Sequence, residues 1–459
     1  MNERIVILGG GESGVGAAIL ARQKGYDVFL SDGGNLAPDR RRALKSQKID
    51  FEEGGHSEEL IMDASLVVKS PGIPDSAPLV KKIESINIPV ISEIEFAYRF
   101  IDKAKVVAIT GTNGKTTTSM LTYHLLKTAG YKVALGGNVG KSLAGLVAEG
   151  GYHYYVVEVS SFQLDGIQNF RPDVAVLLNI TPDHLDRYEY NFNKYVTSKF
   201  RIVENLTNEQ AFIYCADSEP VTEEISRRKI EASMFAMSAS NNNKLSAYLK
   251  EEHLIFNFQF KQNSAEYKIP VSEISLIGKH NMVNSMAAVL SALCMEVPIE
   301  KVLKGLKNFK NAPHRLEFVQ EIDGAAYIND SKATNVDSVY YALDGVKGDI
   351  IWIAGGIDKG NDYKQIEKLV EKKVKGLICM GKDNSPLTEF FGSKLDRIAE
   401  VDSVKKAIHQ AHEWANEGDV VLLSPACASF DLFDNYEDRG NKFKRAVNKL
   451  AKTLKTKEA

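Results

Sequence analysis

Short apolar runs recur along the chain, and three of them lead into a loop of small residues and then a helical pattern. Residues 5–8 run into the loop 9–16 and a helix over 17–24. Lys105–Thr110 runs into 111–115 and a helix from about Thr116 to Ala129. Residues 349–353 run into 354–360 and a helix over 363–373. Two more runs, 27–30 and 66–69, end at Ser31-Asp32 and at Ser70-Pro71-Gly72-Ile73. Strand patterns alternating with helix patterns predict an α/β protein with parallel, doubly wound sheets. Such sheets take their ligands at the carboxyl ends of the strands, where these loops lie. The polar stretch 235–267, with Asn241-Asn242-Asn243 and an alternating run at 254–258, is expected to form antiparallel hairpins.

A chain of 459 residues suggests about three domains. Pattern breaks near 95 and 311 divide it into 1–94, 95–310 and 311–459. A 44% hydrophobic content is enough for several cores. The net charge of -3 gives no bulk field toward nucleic acid or an anionic membrane, so neither is expected as a partner. No apolar run is long enough to cross a bilayer, and the first residues lack the basic region and apolar core of a leader. Cys215, Cys294, Cys379 and Cys427 are scattered without a CxxC pair, which reads as reduced thiols and a cytoplasmic location. A monomer is expected. The Lys-rich C-terminus reads as a solvated helix face.

The strongest local chemistry is Thr110-Gly111-Thr112-Asn113-Gly114-Lys115-Thr116-Thr117, between a strand and a helix. Glycines let backbone N–H groups approach phosphate oxygens, and a helix N-terminus adds partial positive charge. Lys115 would meet the β- and γ-phosphates and Thr116 would offer its hydroxyl to Mg²⁺. The usual pattern has a glycine where this chain has Ile109, so the loop is a shortened variant. Gly9-Gly10-Gly11-Glu12-Ser13-Gly14, with Asp32 after the next strand, fits a diphosphate-binding turn or, taken alone, a dinucleotide site. Glu158, in the strand pattern 154–159, is a buried carboxylate that needs a partner: a salt bridge or a magnesium ion. His184, in Asp183-His184-Leu185-Asp186-Arg187-Tyr188, is compatible with a helix cap, and Lys199 on a helical pattern reads as a surface lysine.

Together the phosphate loop, Glu158-Val159-Ser160-Ser161-Phe162-Gln163, the segment 183–188, Gly278-Lys279-His280-Asn281-Met282-Val283-Asn284 and Pro313-His314-Arg315-Leu316-Glu317 resemble motifs of the Mur ligase family, in family order, from Gly9 to about Phe443. The C-terminal set Asn329–Asn335, Ala354–Gly360 and Leu423–Asp431 is similar to that of members that add D-glutamate. It differs from folylpolyglutamate synthases at 329–335, and it lacks the DNPR motif of the diaminopimelate- or lysine-adding members. The resemblance implies a Rossmann-like UDP-binding domain, a central P-loop ATPase-like domain and a Rossmann-like C-terminal domain. It implies an ATP-dependent ligase with two Mg²⁺ sites, acting on UDP-N-acetylmuramoyl-L-alanine and D-glutamate.

The resemblance also implies residue roles. ATP would meet Gly111, Thr112, Asn113, Gly114, Lys115, Thr116, Thr117, Asn281, His314, Arg315, Asp330 and Lys332. The UDP-substrate would meet Ser13, Gly14, Val15, Asp32, Ser70, Gly72, Asn138 and His184. D-glutamate would meet Thr334, Lys359, Ser429 and Tyr436. Thr116, Glu158, His184 and a carbamylated Lys199 would hold the metals, and Lys115, His184 and Lys199 would carry the catalysis. The dinucleotide reading, a dehydrogenase, leaves the second loop unexplained. Two rival functions also fit a phosphate loop: a nucleotide-binding protein without catalysis, and a ligase for another amino acid.

Overall fold

The computed structural model describes residues 3–276 and 278–458; Met1, Asn2, Ile277 and Ala459 lie outside them. The chain forms two compact units, one of residues 1–275 and 281–309, the other of 276–280 and 310–459. The first unit carries two sheets and the second carries one.

The first sheet comprises β1 (Arg4–Leu8), β2 (Asp27–Asp32), β3 (Asp50–Glu53), β4 (Leu66–Lys69) and β5 (Val90–Ser92), all parallel, in the order β3-β2-β1-β4-β5. Strand order reverses between β1 and β4. The loops after these two strands, at Gly9 and Ser70, therefore flank the crevice where such sheets bind ligands. The glycine run departs from the loop expected at 9–16, because a helix already begins at Glu12 and runs to Gln23. A Cβ on Gly14 would lie 1.8 Å from the Gly9 carbonyl oxygen, and one on Gly16 would lie 2.0 Å from Ser142 Oγ. These glycines permit close packing of a helix rather than a flexible turn.

The second sheet comprises β6 (Lys105–Thr110), β7 (Val133–Gly137), β8 (Tyr154–Glu158), β9 (Val174–Leu177), β10 (Ala211–Cys215), β11 (Ser233–Ser238), β12 (Ala247–Lys250), β13 (His253–Phe260) and β14 (Asn263–Pro270). Its order is β14-β13-β12-β11-β10-β9-β6-β8-β7. The strand β6 is buried beyond Lys105, as expected for a parallel strand covered on both faces. β13 and β14 form the expected antiparallel hairpin with β12, and β13 buries alternate residues Leu254, Phe256, Phe258 and Phe260. The hairpin expectation fails at β11, which pairs parallel with β12, Met237 opposite Ala247. Alternation reports which face a side chain takes, not the direction of the neighbouring strand.

The third sheet comprises β15 (Glu317–Ile322), β16 (Ala325–Asn329), β17 (Ile350–Ala354), β18 (Val374–Met380), β19 (Ile398–Val401) and β20 (Val420–Leu423), in the order β15-β16-β20-β17-β18-β19. Only β15 runs antiparallel to its neighbour. Cores lie on both faces: Trp352, Leu377 and Phe391 on one, Tyr327, Ile353 and Phe443 on the other. The C-terminal helix Tyr436–Glu458 buries Arg439, Phe443, Val447 and Ala451 at four-residue spacing. Lys442, Lys449 and Lys452 face solvent, as expected, whereas Lys444 pairs with Glu317 at 3.0 Å and Arg439 belongs to the buried side. Among the described residues no helix is long and apolar enough to cross a membrane.

Candidate functional site

The loop after β6 has the strand–loop–helix geometry of a phosphate cradle. Gly111 and Gly114 sit at φ 149° and 86°, positions that disfavour a side chain, and the helix Lys115–Thr128 begins directly after them. Asn179, after β9, fixes the loop: Asn113 N–H donates to Asn179 Oδ1 at 2.8 Å, and Asn179 Nδ2 donates to the Asn113 carbonyl at 3.1 Å. Lys115 Nζ folds back onto the carbonyls of Gly111 and Thr112, each at 2.8 Å. Thr116 and Thr117 are buried in the helix's first turn. Asn284 Nδ2 donates to Asn281 Oδ1 at 3.0 Å, and Thr118 Oγ1 donates to Asn284 Oδ1 at 3.2 Å, so Asn281 stands behind this cradle.

Parallel register places Glu158 at the end of β8 beside Ile109. Glu158 is buried; its Oε1 accepts from Asn138 Nδ2 at 2.7 Å, while Oε2 has no hydrogen-bond partner. The salt-bridge reading of Glu158 therefore does not hold. Asn138, expected on the sugar nucleotide, is on an exposed loop and tied to Glu158. Lys199, on the helix Phe192–Phe200, is 2% exposed, which corrects the surface reading. Its Nζ donates to the Gly111 carbonyl at 2.9 Å and lies 4.7 Å from the Tyr195 ring centroid. Burial, and then the Lys115 ammonium that shares the same carbonyl, hold Lys199 well below the ordinary lysine pKa. His184 is exposed, at φ 51°, with Nε2 3.6 Å from Asp183 Oδ2 and its ring 5.3 Å from that of Phe162. His184 occupies the N-cap position of the 3₁₀ turn Leu185–Tyr188, as the cap reading has it, but its side chain makes no capping hydrogen bond there.

The UDP-side candidates meet across the first sheet's crevice. Ser13, Gly14 and Val15 form the first turn of the helix, and Ser70 Oγ donates to the Gly9 carbonyl at 3.2 Å. Asp32 accepts from Gly10 N–H and, at 2.7 Å, from Gly34 N–H, so its carboxylate braces the loop. Arg187 donates to the carbonyls of Pro71 and Gly72 at 3.2 and 3.4 Å and stacks 4.4 Å from the Phe162 centroid.

In the second unit the candidates gather at the carboxyl ends of β16, β17 and β20. Asp330 accepts from Ser424 Oγ at 2.9 Å, and burial pushes its carboxyl up to about 7. His314, at φ 66°, lies 2.9 Å from Asn329 Nδ2, and burial lowers its pKa. Arg315 keeps a buried Nε without a hydrogen bond. Lys332 Nζ sits 5.2 Å from the Tyr436 centroid. Thr334 is half-buried, Ser429 buried and Lys359 exposed on the loop after β17. Asn179, Arg187, Tyr195 and Arg439 were not singled out by sequence. Asn179 and Arg187 border marked motifs, and Arg439 repeats the spacing of Phe443 and Val447.

This combination, a strand–loop–helix phosphate cradle with a buried carboxylate and a buried lysine beside it, defines an ATP-using class of α/β protein. The family description "Mur ligase middle domain" matches residues 109–292, "Mur ligase, glutamate ligase domain" 314–427 and "MurD N-terminal domain" 4–78. The chain belongs to the Mur ligase family, and its architecture is that family's three α/β domains. Among its relatives are the UDP-N-acetylmuramoylalanine–D-glutamate ligases of Cytophaga hutchinsonii, 50% identical over 98% of this chain and 100% of that one, and Christiangramia forsetii, 46% identical with the same coverage. The fold resembles a pseudomurein peptide ligase type C from Methanothermus fervidus (TM-score 0.61, 21% identity, 98% and 100% of the two chains). It also resembles UDP-N-acetylmuramate-alanine ligase from Thermotoga maritima (TM-score 0.61, 18% identity, 98% and 99%).

Proposed function

We propose that the chain is a cytoplasmic, monomeric ligase that uses ATP to join D-glutamate to UDP-N-acetylmuramoyl-L-alanine through an acyl phosphate, a step of peptidoglycan precursor synthesis. The observation that carries this reading is the loop 110–117, closed over buried Glu158 and Lys199, in a chain that aligns end to end with D-glutamate ligases.

Backbone amides of Gly111–Thr117 and the Lys115 ammonium hold the ATP phosphates, and Asn281, His314, Arg315, Asp330 and Lys332 take the rest of the nucleotide. The alanyl carboxylate attacks the γ-phosphorus, ADP leaves, and an acyl phosphate forms. The amine of D-glutamate, held by Thr334, Lys359, Ser429 and Tyr436, attacks the acyl carbon. Phosphate departs as the amide bond closes. The amine proton passes to a base; His184 either takes it or serves as a metal ligand only. Ser13, Gly14, Val15, Asp32, Ser70, Gly72 and Asn138 hold the UDP-sugar end.

Among the described residues no cluster of three or more His, Cys, Asp or Glu side chains is set to hold a metal. The buried Glu158 Oε2, which no hydrogen bond satisfies, does fit a cation. Lys199 becomes a ligand only when carbamylated, and the depressed ammonium supports this: the neutral amine adds to CO₂ and loses a proton, giving an anion beside Lys115. Two Mg²⁺ ions held by Thr116, Glu158, His184 and this carbamate would offset the charge between carboxylate and phosphate.

The test is ADP release by purified protein given ATP, Mg²⁺, UDP-N-acetylmuramoyl-L-alanine and one amino acid at a time. Release with D-glutamate and not with L-glutamate or L-lysine is expected. No release, or preference for another amino acid, refutes the reading.

A further inference from the structure

Arg439 is 1% exposed and carries a whole charge into the interior of the second unit. Its Nε donates to Ser331 Oγ at 3.0 Å. Nη1 donates to the carbonyls of Gly355 and Cys427 at 3.3 and 3.2 Å, and Nη2 to those of Ser331 and Cys427 at 2.9 and 3.2 Å. Every acceptor is a neutral oxygen. Asp431 acts on it only at longer range, and burial lowers the guanidinium to about 10, so it stays charged at neutral pH. Buried arginines are ordinarily paired with an anion, because an unpaired buried charge is costly.

The three segments it holds are the loops that follow β16, β20 and β17. Ser331 lies three residues before Thr334, Cys427 two before Ser429 and Gly355 four before Lys359. Ser331 Oγ in turn donates to the Tyr436 carbonyl at 2.8 Å, tying in the start of the C-terminal helix. That helix is seated without slack, since a Cβ on Gly440 would lie 2.1 Å from His314 Nδ1. All four candidate amino-acid contacts thus hang from one guanidinium.

We propose that Arg439 is a positioning residue that sets these loops and lends the amino-acid pocket a fixed positive charge, making the pocket selective for a dicarboxylate. The proposal rests on the ligase reading above. The substrate's second carboxylate adds to the weak counter-charge of the more distant Asp431, without touching Arg439.

The experiment compares Arg439→Lys and Arg439→Met with the wild-type chain, measuring phosphate release and separate KM values for D-glutamate, ATP and the UDP-substrate. Arg439→Met should raise the D-glutamate KM by about tenfold to a hundredfold, as expected for lost interactions with a charged group. The UDP-substrate KM should stay within about twofold, and the ATP KM should rise several-fold less than that for D-glutamate, because Ser331 stands between Asp330 and Lys332. Arg439→Lys, which keeps the charge but not the fork, should recover part of the loss. Equal increases in the two variants, equal increases in all three KM values, or an unchanged D-glutamate KM overturn the proposal. Should the methionine variant not fold, the split among the three KM values in Arg439→Lys decides alone. A wild-type chain inert toward D-glutamate sinks the ligase reading; an active one with indifferent variants sinks only the role of Arg439.

Discussion

Glu93 offers a stability prediction with a definite sign. The helix Glu93–Tyr98 follows β5, and the Glu93 side chain is 1% exposed. Oε1 accepts from Ala144 N–H in the first turn of the helix Leu143–Glu149, while Oε2 has no hydrogen-bond partner. Burial pushes the carboxyl from 4.5 up to about 7, the Ala144 amide opposes the rise, and Glu12 adds to it. The folded chain therefore holds a proton that the unfolded chain releases at lower pH. Stability is fully present below the unfolded value of 4.5 and is lost as pH rises toward 7. At 1.36 kcal/mol per pH unit, the loss above pH 7 is about 3 kcal/mol. Glu93→Gln keeps the acceptor for Ala144 and has nothing to ionise. Urea unfolding followed by far-ultraviolet circular dichroism suits the test, because both tryptophans, Trp352 and Trp414, lie in the other unit. The variant and the wild type should be close at pH 5, and the variant should be more stable by about 3 kcal/mol at pH 8.5. A difference that does not change with pH would refute the reasoning.

Two further outcomes concern the substrate cleft. Lys199→Ala should reduce ligase turnover by about a hundredfold or more, and added formate or acetate should restore part of it by supplying a carboxylate in place of the proposed carbamate; absence of rescue at any concentration speaks against carbamylation. Gly14→Ala places a methyl against the Gly9 carbonyl, forcing the helix Glu12–Gln23 off β1. Its KM for the UDP-substrate should rise about tenfold or more while that for D-glutamate holds, and an unchanged UDP-substrate KM would place the diphosphate elsewhere.

The amino-acid sequence by itself determined the α/β alternation and the phosphate loop. Periodicity of apolar residues is a local property, and a glycine–lysine–threonine run between strand and helix has few uses. It also marked Glu158 as a carboxylate out of place in an apolar strand. Packing decided what periodicity could not report. The glycines at 14 and 16 read as loop because only a neighbouring carbonyl and Ser142 show why a helix needs them. Lys199 reads as a surface lysine, and Arg439 goes unmarked, because a helical pattern does not show what will cover a charged residue. Each is buried by segments distant in the chain, Gly111 for one and Ser331, Gly355 and Cys427 for the other. The parallel pairing of β11 with β12 was likewise settled by which strand edge was available, a choice made in three dimensions. Local residue order specifies elements and marks reactive groups, but whether a charge stands in water or against a carbonyl depends on what the folded chain brings beside it.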